Sequence, residues 1–138
     1  MLRCARKAIL LGALVGALAA PIAALAADQT YNGRADGNGT VRFKTDVKKG
    51  KITGLSHFTW SVTTHCNIGD ATENDSQSFP IKVKHNKIVT SSEGLPYPKI
   101  TGTFSDGGKQ AHGTFRDKTR FQGTTCDTGT LNWTATRG

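Results

Sequence analysis

Among the residues of this chain, Cys66 and Cys126 have the most definite chemistry. Cys66 ends the run Phe58-Thr59-Trp60-Ser61-Val62-Thr63-Thr64-His65-Cys66. In an extended strand Phe58, Trp60, Val62, Thr64 and Cys66 share one side, and the polar Thr59, Ser61, Thr63 and His65 share the other. Cys126 is followed by Leu131, Trp133 and Ala135, which alternate again. The two segments read as two halves of one core tied by a Cys66–Cys126 disulfide. Closing a loop of about 60 residues would stabilise the fold by roughly 4 kcal/mol in the chain-entropy model. That is a large share of the roughly 5–15 kcal/mol that holds a typical domain together.

The other reactive side chains form no such arrangement. His57 and His65 lie eight residues apart, about 26 Å along a strand, so they cannot share a metal. His85 and His112 belong to other segments, and no zinc-ligand spacing is present. Asp70, Glu73 and Asp75 sit close together in Asn67–Gln77, which reads as a polar loop. They lack the one-three-five spacing and the closing bidentate glutamate of a calcium loop. No nucleophile elbow, zincin motif or phosphate loop occurs. A glycosidase pair of carboxylates needs no local motif and stays open. The reading is non-enzymatic, with no cofactor.

Basic residues collect in groups. Lys48, Lys49 and Lys51 crowd one turn, Lys82, Lys84 and Lys87 line one strand and its turn, and Arg116, Lys118 and Arg120 crowd another turn. Where two groups meet in space they would bind an anionic polymer or a cell-envelope surface. Lysine also protects strand edges from association. No aromatic-studded basic strand is present, which argues against specific nucleic-acid recognition. Leu95-Pro96-Tyr97-Pro98 is an apolar, stiff segment, and Leu95 and Tyr97 are its candidate contacts.

These residues need a scaffold, and its start is set by the first 26 residues. Arg3, Arg6 and Lys7 precede the apolar run Ala8–Ala20, and Ala24-Leu25-Ala26 is a cleavage motif. This is the pattern of a secretory signal peptide, too short in its apolar part for a spanning anchor. Cys4 lies ahead of the apolar run and leaves with the leader. Residues 27–138 then form one secreted domain, extracellular or periplasmic. It keeps five of the eight net positive charges, since the leader holds three basic and no acidic residues. An even pair of cysteines in an oxidising compartment suits a disulfide. The triplets at Asn38, Asn74 and Asn132 would carry glycans only in a glycosylating host.

After residue 27 the pattern is strand and turn. Asp36-Gly37-Asn38-Gly39 marks a hairpin, Lys48-Lys49-Gly50-Lys51 marks a turn, and Gly54 marks a bulge or bend. Pro80 places the next strand at its start or on an edge. Gly102-Thr103-Phe104, Gly113-Thr114-Phe115 and Gly123-Thr124-Thr125 recur at the interval of a strand plus a turn. Gly102 and Gly113 share a face with Ile100, Phe104, Ala111 and Phe115, where they would admit a large ring such as Trp60 or Trp133. The expected fold is all-β: a single antiparallel β-sandwich of about eight strands, with a small up-and-down barrel as the alternative. The sandwich is preferred because a disulfide between distant segments often bridges two sheets.

The ending Cys126-Asp127-Thr128-Gly129-Thr130-Leu131-Asn132-Trp133-Thr134-Ala135 resembles that of a loose group of small exported bacterial proteins. Lys51-Ile52-Thr53-Gly54 and Lys99-Ile100-Thr101-Gly102 match further runs of that group. The resemblance implies a secreted β-domain and carries over no activity and no catalytic residue.

Three roles follow as expectations. The first is a binding module that uses residues 67–77 and 91–98 with the basic turns. The second is a small-molecule carrier with an apolar barrel cavity lined by Phe58, Trp60 and Trp133. The third is a hydrolase with dispersed carboxylates.

Overall fold

A computed structural model of the chain describes residues 28–77, 80–89 and 97–138. Residues 1–27, on which the expected signal peptide falls, and Leu95 lie outside the described residues. Eleven strands follow one another: β1 (Thr30–Ala35), β2 (Gly39–Lys48), β3 (Lys51–Cys66), β4 (Gly69–Gln77), β5 (Ile81–Lys84), β6 (Lys87–Val89), β7 (Lys99–Ser105), β8 (Gln110–Arg116), β9 (Lys118–Phe121), β10 (Thr124–Asp127) and β11 (Leu131–Arg137). All pairings are antiparallel.

Eight of these strands close a barrel in the order β2-β1-β11-β8-β7-β6-β5-β3, and pairing of β3 with β2 completes the ring. The fold is therefore the barrel and not the sandwich. Local alternation is the same in both, and the disulfide argument fails for a specific reason. Cys66 and Cys126 are direct cross-strand partners within one sheet, 4.0 Å apart at Cα, and bridge no second layer.

Closure depends on β3. Its pairing with β2 slips between Arg42 and Lys44 and again between Asp46 and Val47. His57, at φ 52, sits in the first of these bulges. Bulges bend a strand and increase its twist, which lets one 16-residue strand wrap the barrel. They also shift the inward phase, so Ile52, Leu55 and Phe58 all point in before the predicted alternation Phe58, Trp60, Val62, Thr64 begins.

Two-residue turns set the register elsewhere. Gly37-Asn38, Lys49-Gly50, His85-Asn86 and Gln122-Gly123 all have both central residues at positive φ, as type I′ hairpins require. The third glycine-threonine repeat is thus a turn, unlike the first two. Gly102 and Gly113 do face inward as expected. A methyl on Gly102 would stand 2.7 Å from Cζ2 of Trp133.

The interior is filled by rings. Tyr31 stacks on Phe43 at 4.8 Å, Phe43 on Phe58 at 5.6 Å, and Trp133 meets both Phe43 and Phe58 edge-on. Trp60 lies 4.9 Å from Phe115. At one end the Tyr31 hydroxyl donates to the Gly108 carbonyl and plugs the core. The outer face carries Arg34, Arg42, Lys44, Lys82, Lys84, His112 and many threonines, all exposed or half-exposed. This inside-out distribution is the reverse of a lipid-facing barrel. Among the described residues no helix is long and apolar enough to cross a membrane.

Candidate functional site

The sequence read Asn67–Gln77 as a loop, but Gly69–Gln77 is a strand, β4, paired with β3 from Phe58 to Cys66. It lacks the apolar alternation because most of it covers no core. The last partner of β2 on β3 is Ser61, so the β3–β4 hairpin runs on beyond the barrel. There the edge of β3 vacated by β2 is taken by β10 at His65 and Cys66, and β9 adds outside β10. The result is a four-stranded arm, β4-β3-β10-β9, stapled by Cys66–Cys126. Its two turns are joined at the end. The Asn67 backbone N–H donates to the Thr125 carbonyl at 3.1 Å, and the Thr125 N–H donates to Asn67 Oδ1 at 3.1 Å.

At the base of the arm two carboxyls converge. Glu73 stands opposite Val62 and so points to the inner side, where Trp60 Nε1 donates to its Oε1 at 2.7 Å. Asp117, the single residue between β8 and β9, is 5 % exposed and stands close enough to Glu73 to act on its carboxyl. Its backbone is fixed by Thr128: the Asp117 N–H donates to Thr128 Oγ1 at 2.9 Å, and the Thr128 N–H donates to the Asp117 carbonyl at 3.0 Å. The Lys118 N–H donates to Asp117 Oδ1 at 2.7 Å.

Burial pushes the Glu73 carboxyl up to about 7. The Trp60 hydrogen bond opposes this, while Asp117 and the charge of Asp75 add to it. The raised value favours the protonated carboxyl, and the Trp60–Glu73 hydrogen bond joins the arm to the barrel core.

Arg116 is held just outside this pair. Its Nε and Nη2 donate to the two carboxylate oxygens of Asp127 at 3.0 and 2.6 Å. The guanidinium holds the Asp127 carboxyl down to about 2, and the Gly129 N–H adds to that effect. The Tyr97 ring lies under Arg116 at 5.8 Å and under the Lys99 ammonium at 5.3 Å. Such bidentate pairs position as well as attract. Arg116 is therefore a latch between β8 and β10, not a free cation.

Lys118 and Arg120 differ. They sit on one side of β9, two residues apart and exposed, and among the described residues neither has an ion pair. The structure thus brings Tyr97, Arg116, Lys118 and Arg120 to one end of the barrel. It places Lys48, Lys49 and Lys51 in the β2–β3 turn at the opposite end, so these basic groups form no common patch. Asp70 leaves the other acids and contacts His65 Nδ1 at 2.7 Å. Among the described residues no three metal-ligating side chains gather.

Sequence reading missed two features of the arm. The Glu73–Asp117 contact links positions 44 apart and has no local signature. The second is at the end of the arm, where Ile68 is 79 % and Phe121 is 73 % exposed. An apolar residue inside a polar turn, beside Asn67 or Gln122-Gly123, was the available signal. Comparison with family models, with curated proteins and with solved structures returned no match.

Proposed function

We propose that the chain is an exported, non-enzymatic binding domain whose contact end is the arm, with Lys118 and Arg120 engaging an anionic partner. The observation that carries this is the division of charge at that end. Arg116 is locked bidentately to Asp127, whereas Lys118 and Arg120 are exposed on the same face of an edge strand with no close ion pair among the described residues, Lys118 lying across from Asp127 and adding only its field there. The staple holds the backbone of the arm in place, so the freedom lost on binding is confined to the two side chains. The ring contacts that fill the barrel favour presentation at the surface over enclosure of a ligand. Tyr97, beside the latch, borders the same end, and Lys48, Lys49 and Lys51 stand away from it.

The test compares two variants that lose equal charge. Lys118→Ser/Arg120→Ser should elute from an anionic resin or a polyphosphate column at clearly lower salt than the parent. Lys48→Ser/Lys49→Ser should elute close to it. Equal shifts would reduce the binding to net charge alone and remove the arm as its site.

A further inference from the structure

We infer that the end of the arm docks on an anionic lipid surface, with Ile68 and Phe121 entering the interface and Lys118 and Arg120 meeting the headgroups. This rests on the reading of the arm as the contact end and names its partner. Ile68 and Phe121 are the two large apolar side chains with high exposure among the described residues, at 79 and 73 %. Both occur at the end of the same projection, one in the β3–β4 turn and one at the start of the β9–β10 turn. Hydrogen bonds from Asn67 to Thr125 and Gly123 hold these turns side by side. Chance placement would scatter such residues singly over the barrel, and the barrel's outer face is polar instead.

The lipid surface is favoured over a protein partner by area and by the two cations that lie next to Phe121, while Asp70, two residues from Ile68, is held against His65. Two apolar side chains at the end of the arm offer far less than the roughly 1,200 Å² of a stable protein interface. A bilayer needs no such area, because each apolar side chain leaves water by depth of insertion. Lys118 and Arg120 follow directly along β9 from Phe121, where they would reach the headgroup layer. One cation near an anionic leaflet strengthens association by about fivefold, and one inserted apolar side chain by about tenfold or more. Neither pair suffices alone, so the inference requires that both matter.

The experiment uses the chain from residue 27 onward and sedimentation with vesicles of phosphatidylglycerol and phosphatidylcholine at 1:3, against pure phosphatidylcholine. Binding to the anionic vesicles, weak binding to the neutral ones, and decline with salt are expected. Ile68→Ser/Phe121→Ser should lose about a hundredfold in vesicle affinity while keeping its melting temperature and its retention on polyphosphate. Lys118→Ser/Arg120→Ser should lose both vesicle and polyphosphate binding. Unchanged vesicle affinity of Ile68→Ser/Phe121→Ser overturns the lipid inference, and retained polyphosphate binding by the arm then leaves the proposed function standing. Loss of dimers in that variant, without any vesicle binding by the parent, would assign the apolar end to a second copy and also overturn it.

Discussion

Replacing Glu73 with glutamine should raise stability at pH 8 and leave it nearly unchanged at pH 4.5. The carboxyl moves from 4.5 in the open chain to about 7 in the fold. Between those values the folded state keeps a proton that the unfolded state has released. Stability from this group is therefore highest below pH 4.5, falls as pH rises through the window, and is lost above about 7. At about 1.36 kcal/mol per pH unit the ceiling is about 3.4 kcal/mol. Glu73 is only half-buried, and solvent screening lowers this to about 1.5 kcal/mol. Glutamine keeps an oxygen for the Trp60 N–H and offers an N–H to Asp117, with nothing to titrate. The assay is thermal melting of both proteins from pH 4.5 to 8. The variant should gain about 6 °C over the parent by pH 8. Titrations common to both proteins cancel in that difference. Asp127 acts outside this range, since its contribution is present above its ordinary value and lost only as pH falls toward about 2. A difference that stays flat across the range, or one that favours the parent as pH rises, would refute the shared-proton account.

Gly113→Ala should lower stability by about 3 kcal/mol or more, because the new methyl would lie 1.8 Å from the Thr101 carbonyl oxygen and 2.5 Å from Gly102 Cα. A melting temperature within two or three degrees of the parent would show that the β7–β8 contact is looser than described. Cys66→Ser should cost about 4 kcal/mol, from a bridge spanning 60 residues. A loss of only a degree or two on melting, or equal protease resistance of the arm with and without reductant, would count against its role as the staple.

What was legible in the sequence followed local rules. Phe58, Trp60, Val62 and Thr64 face inward because strand periodicity and side-chain type agree there. The inward glycines at 102 and 113 were legible because a missing side chain opposite large rings has one common use, and Trp133 fills that space. Barrel closure was not legible, since it depends on the β2–β3 pairing and on bulges at positions such as His57 with no sequence mark. β4 was misread because a strand that covers no core has no reason to alternate. The separation of Lys48, Lys49 and Lys51 from Lys118 and Arg120 is set by which turns lie at which end, a property of topology alone.

The placement of the candidate site follows from the same topology. A closed barrel satisfies its own backbone and leaves no strand edge for a partner. Its interior is occupied by rings and, among the described residues, its exterior is polar. The arm is the exception, because β4 and β9 pair on one side only among the described residues. Each edge bears exposed charge of one sign, Asp70 and Asp75 on β4 and Lys118 and Arg120 on β9. Two copies approaching through like edges would therefore repel. The exposed Ile68 and Phe121 at the end of the arm have no role in the fold that would account for them. The buried Asp117 and the Trp60–Glu73 hydrogen bond tie that projection to the barrel. The barrel thus acts as the rigid base, and contact is left to the part of the sheet that extends beyond it.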